Sequence, residues 1–183
     1  MKTNLISIAV LLCISFTAYG QKWSVSTNIA DWMYLGTINA EASVGIGRHW
    51  TANAGVRYNP WTFRDGDSQF QDRKQCYSLG VRAWPWHIYS GWWIGGRLQY
   101  LEYNAGGIFS TTSQEGDAFG AALSAGYALM LHKNLNMEFG AGFWTGWKSY
   151  TTYACTRCGK VTGKGKNWFL APNDILISLV YTF

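Results

Sequence analysis

The chain has 183 residues, enough for one domain, with 14% charged side chains against 17% aromatic ones, 11 of them Trp. A water-soluble domain normally devotes about a quarter of its residues to charge, so the composition argues against an ordinary soluble globule. A formal net charge of +5 is too small an excess to point to nucleic acid.

Residues 1–20 read as a cleaved signal peptide. Lys2 gives a positive start, residues 5–16 are an apolar run, and Ala18-Tyr19-Gly20 is a small-residue cleavage site. The run is too short to span a bilayer as a helix. Cys13 follows Leu12, where a lipid-attachment motif wants a small residue, so it reads as part of the run. The exported chain, 21–183, then carries 14 basic and 10 acidic side chains, a net of +4. Nothing in it is apolar over the ~20 residues a membrane helix needs.

Instead it divides into eight segments of two-residue period, each about the length of a tilted membrane strand. In residues 23–31, Trp23, Val25, Thr27 and Ile29 share a face. In 39–47, Ala40, Ala42, Val44 and Ile46 oppose Glu41, Ser43 and Gly45. In 51–60, Ala52, Ala54, Val56 and Tyr58 oppose Asn53, Gly55, Arg57 and Asn59. In 76–84, Tyr77, Leu79, Val81 and Ala83 oppose Ser78, Gly80 and Arg82. In 91–102, Trp92, Ile94, Leu98 and Tyr100 oppose Gly95, Arg97 and Gln99. In 117–131, Phe119, Ala121, Leu123, Ala125, Tyr127 and Leu129 oppose Gly120, Ser124 and Gly126. In 135–147, Met137, Phe139, Ala141 and Phe143 oppose Asn136, Glu138, Gly140 and Gly142. In 173–183, Ile175, Ile177, Leu179, Tyr181 and Phe183 oppose Asp174, Ser178 and Thr182.

An even count suits closure, and the segments predict an all-β fold: an eight-stranded antiparallel transmembrane β-barrel. Turns at 47–50, 87–90 and 132–134 are short, whereas links at 61–75, 103–116 and 148–172 are long. Short periplasmic turns and longer extracellular loops orient such a barrel in the bacterial outer membrane. The final strand resembles the C-terminal assembly signal of outer-membrane barrels, with Leu179, Tyr181 and Phe183 carrying the likeness. It implies the outer-membrane assembly machinery as a partner.

A lipocalin-like barrel would place the apolar face inside and charge outside. Here the polar face is mostly Gly, Ser and Asn, too weakly charged for a solvated exterior but suited to a narrow lumen. Eight strands leave an interior just wide enough for side chains. Glu41, Arg57, Arg82, Arg97 and Glu138 are the mid-strand charges of that face. They predict a luminal network in which the three arginines pair with the two glutamates, since unpaired buried charge is costly. A structural plug is the expected role, with an ion path as its rival.

His49, His87 and His132 fall at three separate short turns, not in the nucleophile–base–acid cluster a hydrolase needs. No catalytic residue, metal or cofactor is expected. Cys155 and Cys158 form a C-x-x-C without a second ligand pair for zinc or a helix N-terminus to lower a thiol pKa. Export favours a structural Cys155–Cys158 disulfide; Cys76 makes the exported count odd, so it either stays free or takes one of the pair. Lys148, Arg157, Lys160, Lys164 and Lys166 occupy the last link, either a solvated loop or an anion-binding surface for lipopolysaccharide phosphates or an acidic partner.

Several pieces together resemble domain-of-unknown-function family 3575. They are Tyr58-Asn59-Pro60-Trp61-Thr62-Phe63, Gly80-Val81-Arg82-Ala83-Trp84, Tyr103-Asn104-Ala105-Gly106-Gly107, Tyr153-Ala154-Cys155-Thr156-Arg157-Cys158-Gly159, and Ile177 to Phe183. The chain departs where the family shows Gly-Pro-Thr-Lys before the last strand; it has Ala171-Pro172-Asn173-Asp174. The resemblance implies a small outer-membrane barrel, sometimes encoded near fimbrial or surface-assembly genes, and supplies no reaction. The expected function is non-enzymatic: a structural or accessory subunit of a larger cell-surface or envelope complex, in contact with outer-membrane lipids and lipopolysaccharide. A small pore, or a lipid A-modifying enzyme, is the alternative.

Overall fold

The computed structural model describes residues 22–64, 69–107, 112–156 and 159–183; the expected signal segment lies outside them. Nine strands run in chain order. They are β1 (Trp23–Asn28), β2 (Ile38–Gly45), β3 (Trp50–Asn59), β4 (Thr62–Phe63), β5 (Phe70–Ala83), β6 (Gly91–Gly106), β7 (Ser113–His132), β8 (Leu135–Tyr153) and β9 (Val161–Thr182). A five-residue helix, α1 (Ile29–Met33), follows β1. All pairings are antiparallel. β3 pairs with β5, and β9 returns to β1, so eight strands close into a barrel. β4 only folds back on the outer end of β5, at Thr62↔Gln71 and Phe63↔Phe70.

The two-residue period is used inside out. Ser24, Asn28, Asn39, Ser43, Asn53, Arg82, Arg97, Ser124, Glu138 and Ser178 are buried, whereas Leu79, Ile94, Leu98, Leu123, Phe143 and Ile175 are exposed. β7 shows the alternation most plainly, with buried Ala118, Ala122, Ser124 and Ala128 between exposed Phe119, Leu123 and Tyr127. The polar set therefore faces the bore and the apolar set faces outward. Across five strands one outward row is wholly aromatic: Tyr77↔Tyr100, Tyr100↔Phe119, Phe119↔Trp147 and Trp147↔Trp168.

Strand boundaries differ from the sequence expectation in two ways. The first strand stops at Asn28 rather than continuing to 31, because the Asn28 side chain stops it. Its Oδ1 accepts from Ala30 N at 3.2 Å, capping α1, and from Ile177 N at 3.0 Å, while its Nδ2 donates to Ile175 O at 3.1 Å. The helix then turns Asp31 back over the lumen.

The long links are also largely strand. The β8–β9 ladder continues outward from Trp147↔Trp168 through Ser149↔Lys166 and Thr151↔Lys164 to Thr152↔Gly163. Backbone pairing maintains it there, with Thr162 Oγ1 donating to Thr152 O at 3.1 Å, and that needs no apolar face. The connection at this end shrinks to 154–160, and the one between β6 and β7 to 107–112. The wall is consequently uneven: β1, β2 and β3 have 6, 8 and 10 residues, whereas β7, β8 and β9 have 20, 19 and 22.

Candidate functional site

The bore is built in layers. At the short-turn end Trp84, Tyr89, Trp93, Ala128 and Leu176 form a buried cluster, with Ile88 packed against it. Trp84 is 1% exposed, and its indole donates to Thr51 Oγ1 at 3.1 Å. Tyr89 adopts a left-handed backbone, φ 63°, and is held on three sides. Its hydroxyl lies 3.3 Å from Ser43 Oγ and donates to Lys22 O at 3.2 Å; its carbonyl accepts from Asn136 Nδ2 at 2.8 Å. Burial pushes its phenol above the usual range. Trp93 fits because the directly paired Gly126 and Gly140 face it. A Cβ at Gly126 would lie 2.6 Å from the indole, and one at Gly140 3.1 Å.

The charged layer lies on this plug. Arg82 reaches Glu138 Oε2 through Nη1 at 3.0 Å, reaches Glu41 Oε1 through Nη2, and sets its guanidinium 4.6 Å from the Trp93 ring centroid. Arg97 Nη2 lies 3.9 Å from the other oxygen of Glu41. Two arginines thus meet two carboxylates, with no net charge. Arg82 and Glu138 side chains are 6% and 2% exposed. The remaining gap among Ser26, Glu41, Arg82, Arg97 and Ser178 is about 30 Å³, room for one or two waters.

Of the five expected luminal charges, Glu41, Arg82, Arg97 and Glu138 come together. Arg57 instead places its Nε 3.0 Å from Asp31 Oδ2, under α1. The expected partner set for Arg57 was glutamate; the helix cap at Asn28 brings Asp31 closer. Above this pair the bore widens into a cavity of about 460 Å³ lined by Asp31, Tyr34, Arg57, Lys74, Gln99 and Trp144. Lys74 is paired to Asp72 at 3.0 Å and lies 4.5 Å from the Tyr34 ring centroid. Trp144 packs edge-on to Phe169 at 4.6 Å, within a second buried cluster with Ala118 and Ala122.

Asp31 and the aromatic plug were missed by sequence reasoning. A signal for the plug existed: Trp84 is two residues from Arg82 and Trp93 four from Arg97, so both share the arginines' inward face.

The other expected residues are dispersed. His49, His87 and His132 stay at three separate short turns, with His49 Nδ1 3.0 Å from Trp84 O. Cys76 is a buried inward thiol on β5. Cys158 and Arg157 lie outside the described residues, so the Cys155–Cys158 pairing does too. Lys160 precedes β9, and Lys164 and Lys166 are exposed on it, in a strand instead of the expected loop. Tyr181 and Phe183 are exposed, and Leu179 shares their outward parity. Among the described residues no cluster of three His, Cys, Asp or Glu side chains could hold a metal ion.

The family described as "Protein of unknown function (DUF3575)" matches residues 6–183, nearly the whole chain. No curated protein and no solved structure matches it.

Proposed function

Since the chain belongs to the DUF3575 family, whose members have no established reaction, we propose that it is a non-enzymatic outer-membrane barrel. In this reading it is an accessory subunit of a larger cell-surface or envelope complex. The observation that carries the proposal is the inverted barrel: large apolar side chains exposed around a wall whose bore holds paired charges and buried tryptophans. Water would not tolerate so large an exposed apolar surface, whereas a bilayer would cover it. The aromatic row from Tyr77 to Trp168 matches the interfacial belts of membrane proteins.

Closure of the bore favours a structural role over a pore. The aromatic plug fills one level, and the balanced Arg82–Glu41–Glu138–Arg97 network fills the next, leaving only about 30 Å³. The dispersed histidines favour no hydrolytic centre.

The purified chain is expected to require detergent and to run as a compact, heat-modifiable band. Recovery as a water-soluble monomer would refute the membrane reading. In planar bilayers it should give no steady conductance; an ion-selective current would replace the plug with a pore. Purification from native membranes should bring down a larger surface complex, and a deletion strain should keep its lipid A profile. Isolation alone, or altered lipid A, would count against the accessory role.

A further inference from the structure

The uneven wall leaves one side of β9 without a neighbour. β1 pairs with it only from Thr182 to Ser178, and the side chain of Asn28, which ends β1, covers the next step by donating to Ile175 O. Beyond that, residues 161–172 pair with β8 on one side. No described strand pairs with their other side. In a strand, alternate residues direct N–H and C=O to opposite edges, so about six residues present unpaired backbone groups there. Hydrocarbon cannot satisfy such groups, so this edge belongs to the aqueous side of the wall or to a partner.

Its side chains restrict what that partner can be. On the outward face, Lys164, Lys166 and Trp168 follow at two-residue spacing, all exposed. Neither lysine makes an ion pair among the described residues. The same rungs on neighbouring strands run Gln75–Glu102–Asp117–Ser149–Lys166 and Arg73–Asn104–Glu115–Thr151–Lys164. Two lysines thus stand at the open edge, and the nearest acidic side chains of these rungs, Glu115 and Asp117, lie two strands away on β7. A second copy added antiparallel about Gly165 would set Lys164 against Lys166 twice, and like charges directly opposite are destabilising. Lysine on an edge strand is a known guard against self-pairing.

We propose that this edge accepts an extended segment of a different protein by antiparallel strand addition. The added strand carries acidic side chains opposite Lys166 and Lys164 and an aromatic opposite Trp168. Main-chain bonds supply affinity and the alternate side chains supply register. The inference draws on the proposed function only for the compartment in which the partner resides.

The test uses the full processed chain in zwitterionic detergent and a ten-residue peptide. The peptide has an aromatic followed at two-residue spacing by two acidic residues. Saturable binding is expected, with carbon-13-labelled peptide carbonyls showing an infrared strand band. Lys164→Glu with Lys166→Glu should weaken binding about tenfold. A peptide with lysines in place of its acids should recover affinity for that variant. Lys164→Gln with Lys166→Gln keeps the test open if charge reversal disturbs folding.

Alternate backbone N-methylation of the peptide should abolish binding; equal binding would leave only a charged patch and overturn strand addition. Absence of peptide binding, with lysine-dependent capture of vesicles containing diphosphorylated lipid A, would assign the lysines to lipid phosphate instead. A water-soluble chain would refute the membrane reading, yet the same peptide assay would still judge the edge.

Discussion

Arg82 holds the bore together because it touches both carboxylates and a tryptophan face. Replacing it with Met leaves Glu41 and Glu138 facing each other without their shared cation. Removing one member of a buried pair typically costs about 3–5 kcal/mol. Arg82→Met should therefore lower the urea midpoint of the folded protein, followed by tryptophan fluorescence. Adding Glu138→Gln should recover part of the loss, because the buried charge it neutralises is what the first substitution stranded. Additive losses would mean that the two side chains are not coupled. The residues of this network were readable from period-2 parity alone, as were the inward glycines beside them. Asp31 was missed as the partner of Arg57 because parity reports a face but not a height. Asp31 lies on a helix whose start depends on three hydrogen bonds of one Asn side chain.

At the level of elements, alternation located all eight barrel strands but truncated the tall ones. Residues 161–167 read Val-Thr-Gly-Lys-Gly-Lys-Asn, polar on both faces after Val161, so no contrast marks them as strand. Pairing with β8 makes them one, from Tyr153↔Val161 to Lys148↔Asn167. This is testable with trypsin, which needs an extended, locally unfolded site. Cleavage of the folded protein should occur after Lys160, outside the ladder, and should spare Lys164 and Lys166. Rapid cutting at all three would restore the loop reading. The plug residues escaped notice for a related reason. Trp84 and Trp93 are large apolar side chains on the polar face, against the pattern that identified that face.

For the whole molecule, closure depends on very unequal joints. β6–β7 shares sixteen aligned pairs, from Gly91↔Ala128 to Gly106↔Ser113, whereas β1–β9 shares five. The joint between the first and last strands also forms across the longest sequence separation, so loop entropy opposes it most. Val25→Cys with Tyr181→Cys, opposite each other in that joint, should raise the temperature at which the compact gel band is lost. A cross-link at Leu98 and Ala121, opposite each other in β6–β7, should leave it nearly unchanged. Equal gains would show that all joints part together.

A short seam beside tall walls gives the cylinder a preferred way to come apart. It can unroll from that line into a curled ribbon whose hairpins stay zipped, and roll shut again without re-forming each one. Closure would then resemble fastening a cuff more than assembling eight staves.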